Sequence, residues 1–152
     1  MVDLSTLAAE AADRWLQPAL ARGQDLGFDL ASACTPGDPL LLAELLGNLI
    51  HNAIEHAGPG ASITVRTALR DGAACLTVED DGPGIATDER ELLWQRFRRG
   101  RAAQGTGSGL GLAIVQDIAR LHGATATLGT GSNGRGLQVT LRFPALATNG
   151  AG

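Results

Sequence analysis

The chain has 152 residues, 44% hydrophobic and 18% charged, with a formal net charge of −4. That length and balance predict one globular domain, able to bury a core without disulfide or metal staples. All 12 basic residues are arginine, which excludes a Walker A loop, the strand lysine of protein kinases and lysine Schiff-base chemistry, while the negative charge argues against general binding to nucleic acid or anionic membrane.

Residues 4–20 read as an Ala-rich helix, with Leu4, Leu7, Ala8, Ala11, Trp15 and Ala19 at helical spacing. Residues 26–33 alternate as a strand, and 35–38 form a turn. Asp38-Pro39 opens a second helix, with Asp as N-cap and Pro in the first turn. It runs to Ala57 and stops at Gly58-Pro59-Gly60. Two strands, 62–69 and 74–79, are joined by Asp71-Gly72, a strong hairpin signal. Residues 88–97 read as a short helix, and 100–108 carry no period. A second strongly apolar helix covers 110–122 and ends at Gly123. Strands 125–128 and 137–143 make another hairpin, and the last eight residues read as a frayed tail. The longest apolar stretches, 40–50 and 110–115, are interrupted or short, so no membrane span is expected, and the N-terminus has no signal-peptide pattern. Cys34 and Cys75 stand far apart and read as small buried residues in a reducing compartment. Hairpin-paired strands with helices on one face predict a two-layer α/β sandwich.

Three segments carry chemistry. On the central helix, Glu44, Asn48, His51, Asn52 and Glu55 fall within about 100° of arc, opposite Leu42, Leu46, Leu49, Ala53 and Ala57. For the acids Glu44 and Glu55 a solvated face and a ligand-facing role stand on equal terms. Asn is a poor helix former, so two at i and i+4 point to ligands for a cation or a phosphate. Next, the strand ending Val78-Glu79-Asp80-Asp81 runs into Gly82-Pro83-Gly84-Ile85. Adjacent acids repel, and a pocket holding one of them would explain the pair. Third, Gly105-Thr106-Gly107-Ser108-Gly109-Leu110-Gly111-Leu112 leads into a helix, where glycines admit a ligand close to free N–H groups: a candidate phosphate site. The spacing is wrong for a dinucleotide fold. The one true Gly-x-Gly-x-x-Gly, Gly129 to Gly134, is followed by a strand and is a decoy. Between the second and third segments, Arg96-Phe97-Arg98-Arg99-Gly100-Arg101 supplies arginines that can clamp an anion, in a loop long enough to be a lid.

In this order the segments resemble the N, G1, F and G2 boxes of the catalytic, ATP-binding domain of bacterial sensor histidine kinases, in the superfamily shared with gyrase B, MutL and a heat-shock chaperone. The boxes are Glu44 to Ala53, Asp80-x-Gly82-x-Gly84, Trp94-Gln95-Arg96-Phe97, and Gly107 to Val115. The similarity reaches from Leu4 to Pro144.

The resemblance implies a Bergerat-type fold: a mixed five-stranded sheet under about three helices, over residues 1–144, with a lid at about 87–107 and a tail at 145–152. It implies ATP and Mg²⁺ as cofactors. Asn52 would be the metal ligand and Asp80 the partner of the adenine amino group, while Gly107, Gly109 and Gly111 would wrap the phosphates. His56, Gly82, Gly84, Ile85, Thr106, Ser108, Leu110 and Leu112 would complete the nucleotide site, with Asn48, Asn52, Arg96 and Arg99 as the catalytic set. Asn48 stands where hydrolysing relatives carry a water-activating Glu, and an amide cannot take that proton. The sequence departs from the family where Glu55 replaces a basic residue, Arg98 a Tyr, and Leu137 a Thr.

None of the contexts of His51, His56 or His122 resembles the phosphoacceptor site. The resemblance therefore implies a cytoplasmic catalytic domain cut from a larger sensor kinase, as the cytosolic part of a membrane-bound sensor. Its partners would be that kinase's dimerising phosphoacceptor hairpin and a response regulator, with no nucleic acid and no direct membrane contact, and the isolated domain would be a monomer. A stand-alone anti-sigma-type serine kinase and a non-catalytic nucleotide-binding module are the alternatives.

Overall fold

The computed structural model describes residues 1–82, 110–131 and 136–145. The expected helix at 88–97, the lid at 87–107 and the tail from 146 onward lie outside the described residues.

Strand β1 (Val2–Asp3) precedes helix α1 (Leu4–Ala21). Asp3 is the N-cap, its Oδ1 accepting the Ser5 N–H at 3.0 Å, and Leu4, Ala8 and Ala19 turn into the core. Strand β2 (Asp25–Leu30) is shorter than expected. Its continuation leaves the sheet: Ala33 donates its N–H to the Asp3 carboxylate and accepts the Leu4 N–H on its carbonyl. Strand β3 (Cys34–Thr35) then pairs antiparallel with β1, Val2 opposite Thr35. Thr35 therefore lies in a two-residue ladder and not in the expected turn, a pairing too short to leave any period in the sequence.

Helix α2 (Pro39–Ala57) is capped by Asp38, whose Oδ1 accepts the N–H groups of Leu40 at 2.9 Å and Leu41 at 3.4 Å. The whole predicted apolar side, Leu42, Leu46, Leu49, Ala53 and Ala57, is buried, joined by Leu45, Ile50 and Ile54. Strands β4 (Ser62–Arg70) and β5 (Ala73–Asp80) meet at Asp71 and Gly72, both at positive φ (52° and 79°), as a two-residue hairpin turn of the primed type requires. Helix α3 (Leu110–Leu121) and strands β6 (Thr125–Gly129) and β7 (Gln138–Arg142) follow.

The main sheet has the order β2-β4-β5-β7-β6, with β2 parallel to β4 and every other pair antiparallel. Alternation sends Ile63, Val65, Leu76, Val78, Val139 and Leu141 into one core with the buried side of α2 and with Val115 and Ile118 of α3. Burying each such side chain contributes about 1.5–3 kcal/mol. The opposite face shows Arg66, Thr77, Gln138, Thr140 and Arg142. This is the mixed, two-layer sheet that the resemblance implied. Cys75 is buried as expected, whereas Cys34 is only half-buried. Among the described residues no helix is long and apolar enough to cross a membrane.

Candidate functional site

The two acids that end β5 have separate fates. Asp81 Oδ1 accepts the Ser62 N–H, pinning the strand end to β4. Asp80, 6% exposed, turns inward, and its Oδ1 accepts the Gly82 N–H at 3.0 Å. Burial raises its pKa above the ordinary aspartate value, helped by the neighbouring charge of Asp81. Hydrogen bonds from the backbone at Gly82 and Leu137 and the nearby His56 pull the other way. Among the described residues the carboxylate thus accepts backbone hydrogen bonds from Gly82 and Leu137.

Two glycines make room for this acid. A Cβ on Gly82 would overlap the Ala57 carbonyl, so the turn after β5 lies directly against the end of α2. A Cβ on Gly136 would overlap the Asp80 carbonyl and stand 2.7 Å from its carboxylate, and Gly136 also has a φ of +77°. Gly136 is the site residue that sequence reasoning missed. Its signal in the sequence is a glycine directly before Leu137. Leu137 is 5% exposed beside Asp80; an apolar side chain there adds to the desolvation of the acid.

The polar arc of α2 divides in two. His51 lies 3.6 Å from Glu55 and 5.7 Å, centroid to centroid, from the Trp15 ring of α1. Glu55 also pairs with Arg22 at 2.9 Å. The acid that replaces a basic residue of the family is therefore neutralised against the end of α1. Asn48 and Asn52 remain, both half-buried. Asn48 Nδ2 donates to the Glu44 carbonyl at 2.8 Å, leaving its amide oxygen outward. The Asn52 side chain makes no hydrogen bond with any described residue. A cleft of about 340 Å³ between α1 and α2 opens beside Asn48, with Arg14, Trp15, Glu44 and His51 among its walls.

Asp80, Gly82, His56 and Asn52 thus line the C-terminal half of α2 and the adjoining end of β5, and Asn48 continues the row toward the N-terminal half. Leu110, Gly111 and Leu112 form the first turn of α3. Gly84, Ile85, Arg96, Arg99, Thr106, Gly107, Ser108 and Gly109 lie outside the described residues. Of the two glycine motifs, the one read as a decoy is followed by strand β7, as its reading required.

Comparison with known proteins agrees with this architecture. The family described as histidine kinase-, DNA gyrase B-, and HSP90-like ATPase matches residues 37–147. The sensor protein kinase PmrB of Pseudomonas aeruginosa is 35% identical over 144 residues, which cover 94% of this chain and 30% of PmrB. Among solved structures, the mycobacterial sensor histidine kinase MprB is similar with a TM-score of 0.71 and 29% identity, covering 94% of this chain and 96% of that one. The ATP binding domain of PrrB from Mycobacterium tuberculosis is similar with a TM-score of 0.74 and 26% identity, covering 96% of each chain.

Proposed function

The chain belongs to the family of histidine kinase-, DNA gyrase B- and HSP90-like ATPases, and from that membership we propose that it is the ATP-binding catalytic domain of a sensor histidine kinase. Since it spans 30% of the length of PmrB, the acceptor segment, the response regulator and the cytoplasmic setting belong to this proposal too.

The observation that carries it is Asp80, an acid only 6% exposed at the end of β5. A carboxylate only accepts, and adenine offers an amino donor where guanine offers a carbonyl. His56, close enough to act on the Asp80 charge, stands at the same end of the site. With the base at Asp80 and His56, the triphosphate runs along α2 past Asn52 toward Asn48, and the N-terminus of α3 faces the phosphates with its free N–H groups.

The residues fit Mg²⁺ in one specific way. Among the described residues no three His, Cys, Asp or Glu side chains cluster to hold a metal. Asn52, unengaged and half-buried, supplies one amide oxygen, and phosphate oxygens and water complete the shell that Mg²⁺ prefers. Bound there, the ion would offset phosphate charge during transfer.

The reaction is transfer of the γ-phosphoryl group to an imidazole nitrogen: the bond from the γ-phosphorus to the bridging oxygen breaks, ADP leaves, a P–N bond forms, and the imidazole loses a proton. In this chain Asn48 holds its amide N–H on the Glu44 carbonyl and has no basic atom with which to activate water. The site therefore favours an external acceptor over hydrolysis. Calorimetry with ATP and GTP tests the reading. ATP should bind about 5- to 150-fold tighter, because two facing acceptors cost about 1–3 kcal/mol. Equal affinities would remove Asp80 as the base acceptor. Incubated alone with γ-labelled ATP, the chain should acquire no acid-labile, alkali-stable label.

A further inference from the structure

His122 follows the last residue of α3 and reaches back to the start of α2. Its Nδ1 lies 2.9 Å from the Ile118 carbonyl and its Nε2 lies 3.2 Å from the Asp38 backbone nitrogen. A backbone N–H can only donate, so Nε2 is the acceptor, and the single ring proton of neutral imidazole sits on Nδ1 and is donated to Ile118. One ring thereby joins a carbonyl in the last turn of α3 to the N-cap of α2. The Phe143 ring meets the imidazole edge-on, with centroids 6.4 Å apart at 83°. Gly37 supplies an independent observation. A Cβ there would stand 2.7 Å from His122 Cδ2 and 2.9 Å from Leu42 Cδ1, so a side chain at 37 would push the ring off Asp38.

We propose that His122 is a positioning residue for the triphosphate, clasping the far ends of α2 and α3 so that Asn52 and the N-terminus of α3 keep their spacing. The proposal rests on the ATP-binding reading above. The two helices pack against each other, with the C-terminus of α3 at the N-terminus of α2, so α3 runs from the phosphate end to the clasp. Its 12 residues make a rod about 18 Å long. A small rotation at the clasped end therefore displaces the opposite end, where the phosphates bind. The adenine end is fixed separately, by Gly82 against Ala57 and Gly136 against Asp80. Opening the clasp is then felt at the phosphates and not at the base.

The test compares ATP with adenosine, by calorimetry in the presence of Mg²⁺, for the unaltered chain and for His122→Ala, His122→Gln and Gly37→Ala. The ring tautomer of the unaltered chain is read by ¹⁵N NMR. His122→Ala and Gly37→Ala should each weaken ATP about fivefold, the net loss of one hydrogen bond, and leave adenosine within about twofold. His122→Gln should recover most of the ATP affinity, because its Oε1 accepts from the Asp38 N–H. The unaltered ring should carry its proton on Nδ1. An Nε2–H tautomer, an equal loss for ATP and adenosine, or a Gly37→Ala variant with unaltered ATP affinity would each overturn the clasp. If His122→Ala does not fold, Gly37→Ala and the tautomer decide. An unaltered chain that binds neither ligand overturns the ATP-binding reading instead, and the tautomer alone then decides the clasp.

Discussion

Asp80→Asn should pull stability and function in opposite directions. The carboxylate is 6% exposed, and burial holds its pKa above the ordinary value of 3.8. The folded state therefore binds more protons than the unfolded one between that value and the raised folded pKa. Stability falls as pH rises through this window and stays lowered at neutral pH. An amide removes the buried charge, so the melting temperature of the unliganded Asn variant at pH 7 should match or exceed that of the parent, and the pH dependence in the window should flatten. Binding responds differently. Oδ1 already accepts the Gly82 N–H, and on the proposed reading the base brings a second donor to the same carboxylate. Asn has one acceptor for those two donors, and its NH₂ must face whichever is left. Losing a hydrogen bond to a charged group costs about 1.5–3 kcal/mol, or about 10- to 150-fold in affinity. Thermal melts from pH 4 to 7 and ATP calorimetry, run on the same two proteins, read both effects. Unchanged ATP affinity would show that the base does not meet Asp80, and a clearly lowered melting temperature at pH 7 would show that the charge stabilises the fold.

Asn52→Ala should abolish most of the Mg²⁺ dependence of ATP binding, measured by calorimetry with and without the ion. Since the Asn52 side chain has no partner among the described residues, the change should leave stability within about 0.5 kcal/mol; unaltered Mg²⁺ dependence would place the ligand elsewhere. Gly136→Ala meets the Asp80 backbone and a φ of +77°, so it should lose about 1–3 kcal/mol of stability by chemical denaturation and weaken ATP binding. Gly129→Ala, with nothing within 4 Å of its Cβ, is the control, and equal effects of the two would refute the close-approach argument. Asp3 has its pKa lowered to about 2, first by the Ser5 hydroxyl and then by the Ala33 backbone. Its contribution is therefore present above the ordinary 3.8 and lost as pH falls through about 2. Asp3→Ala should lower the melting temperature at pH 7, and the gap to the parent should close across that acid window.

What the sequence made legible were the features that repeat or punctuate. The apolar positions of α2 recur often enough to fix its buried side, Asp38-Pro39 marks its start chemically, and Asp71-Gly72 admits few backbone geometries besides a tight hairpin. The β1–β3 ladder was invisible because two residues define no period. What holds it is the Asp3 carboxylate reaching Ser5, Ser32 and Ala33, contacts that span a gap no local window covers. The site was legible in composition and less so in direction. Helical geometry put His51, Glu55 and the two Asn residues on one arc, but Trp15 of α1 and Arg22 at its C-cap engage His51 and Glu55 and set them apart from the two Asn residues. Gly136 escaped for the same reason: only the pairing of β7 with β5 brings it against Asp80.

That pairing also explains why the adenine end can tolerate a buried acid at all. Leaving Asp80 solvated would remove the burial penalty, but water would then compete for its carboxylate and the base would gain little by binding there. Gly136 approaches its backbone, Gly82 lies against Ala57 and Leu137 is buried beside it, and the acid is only 6% exposed. Its desolvation is built in before the ligand arrives. The cost falls on the stability of the unliganded fold, and on the proposed reading the amino group of adenine regains part of it by adding a donor. Substitutions that loosen either glycine contact should therefore erode the preference for ATP over GTP faster than they erode total affinity. A rehydrated Asp80 can place a water between itself and the guanine carbonyl, and that water donates to both.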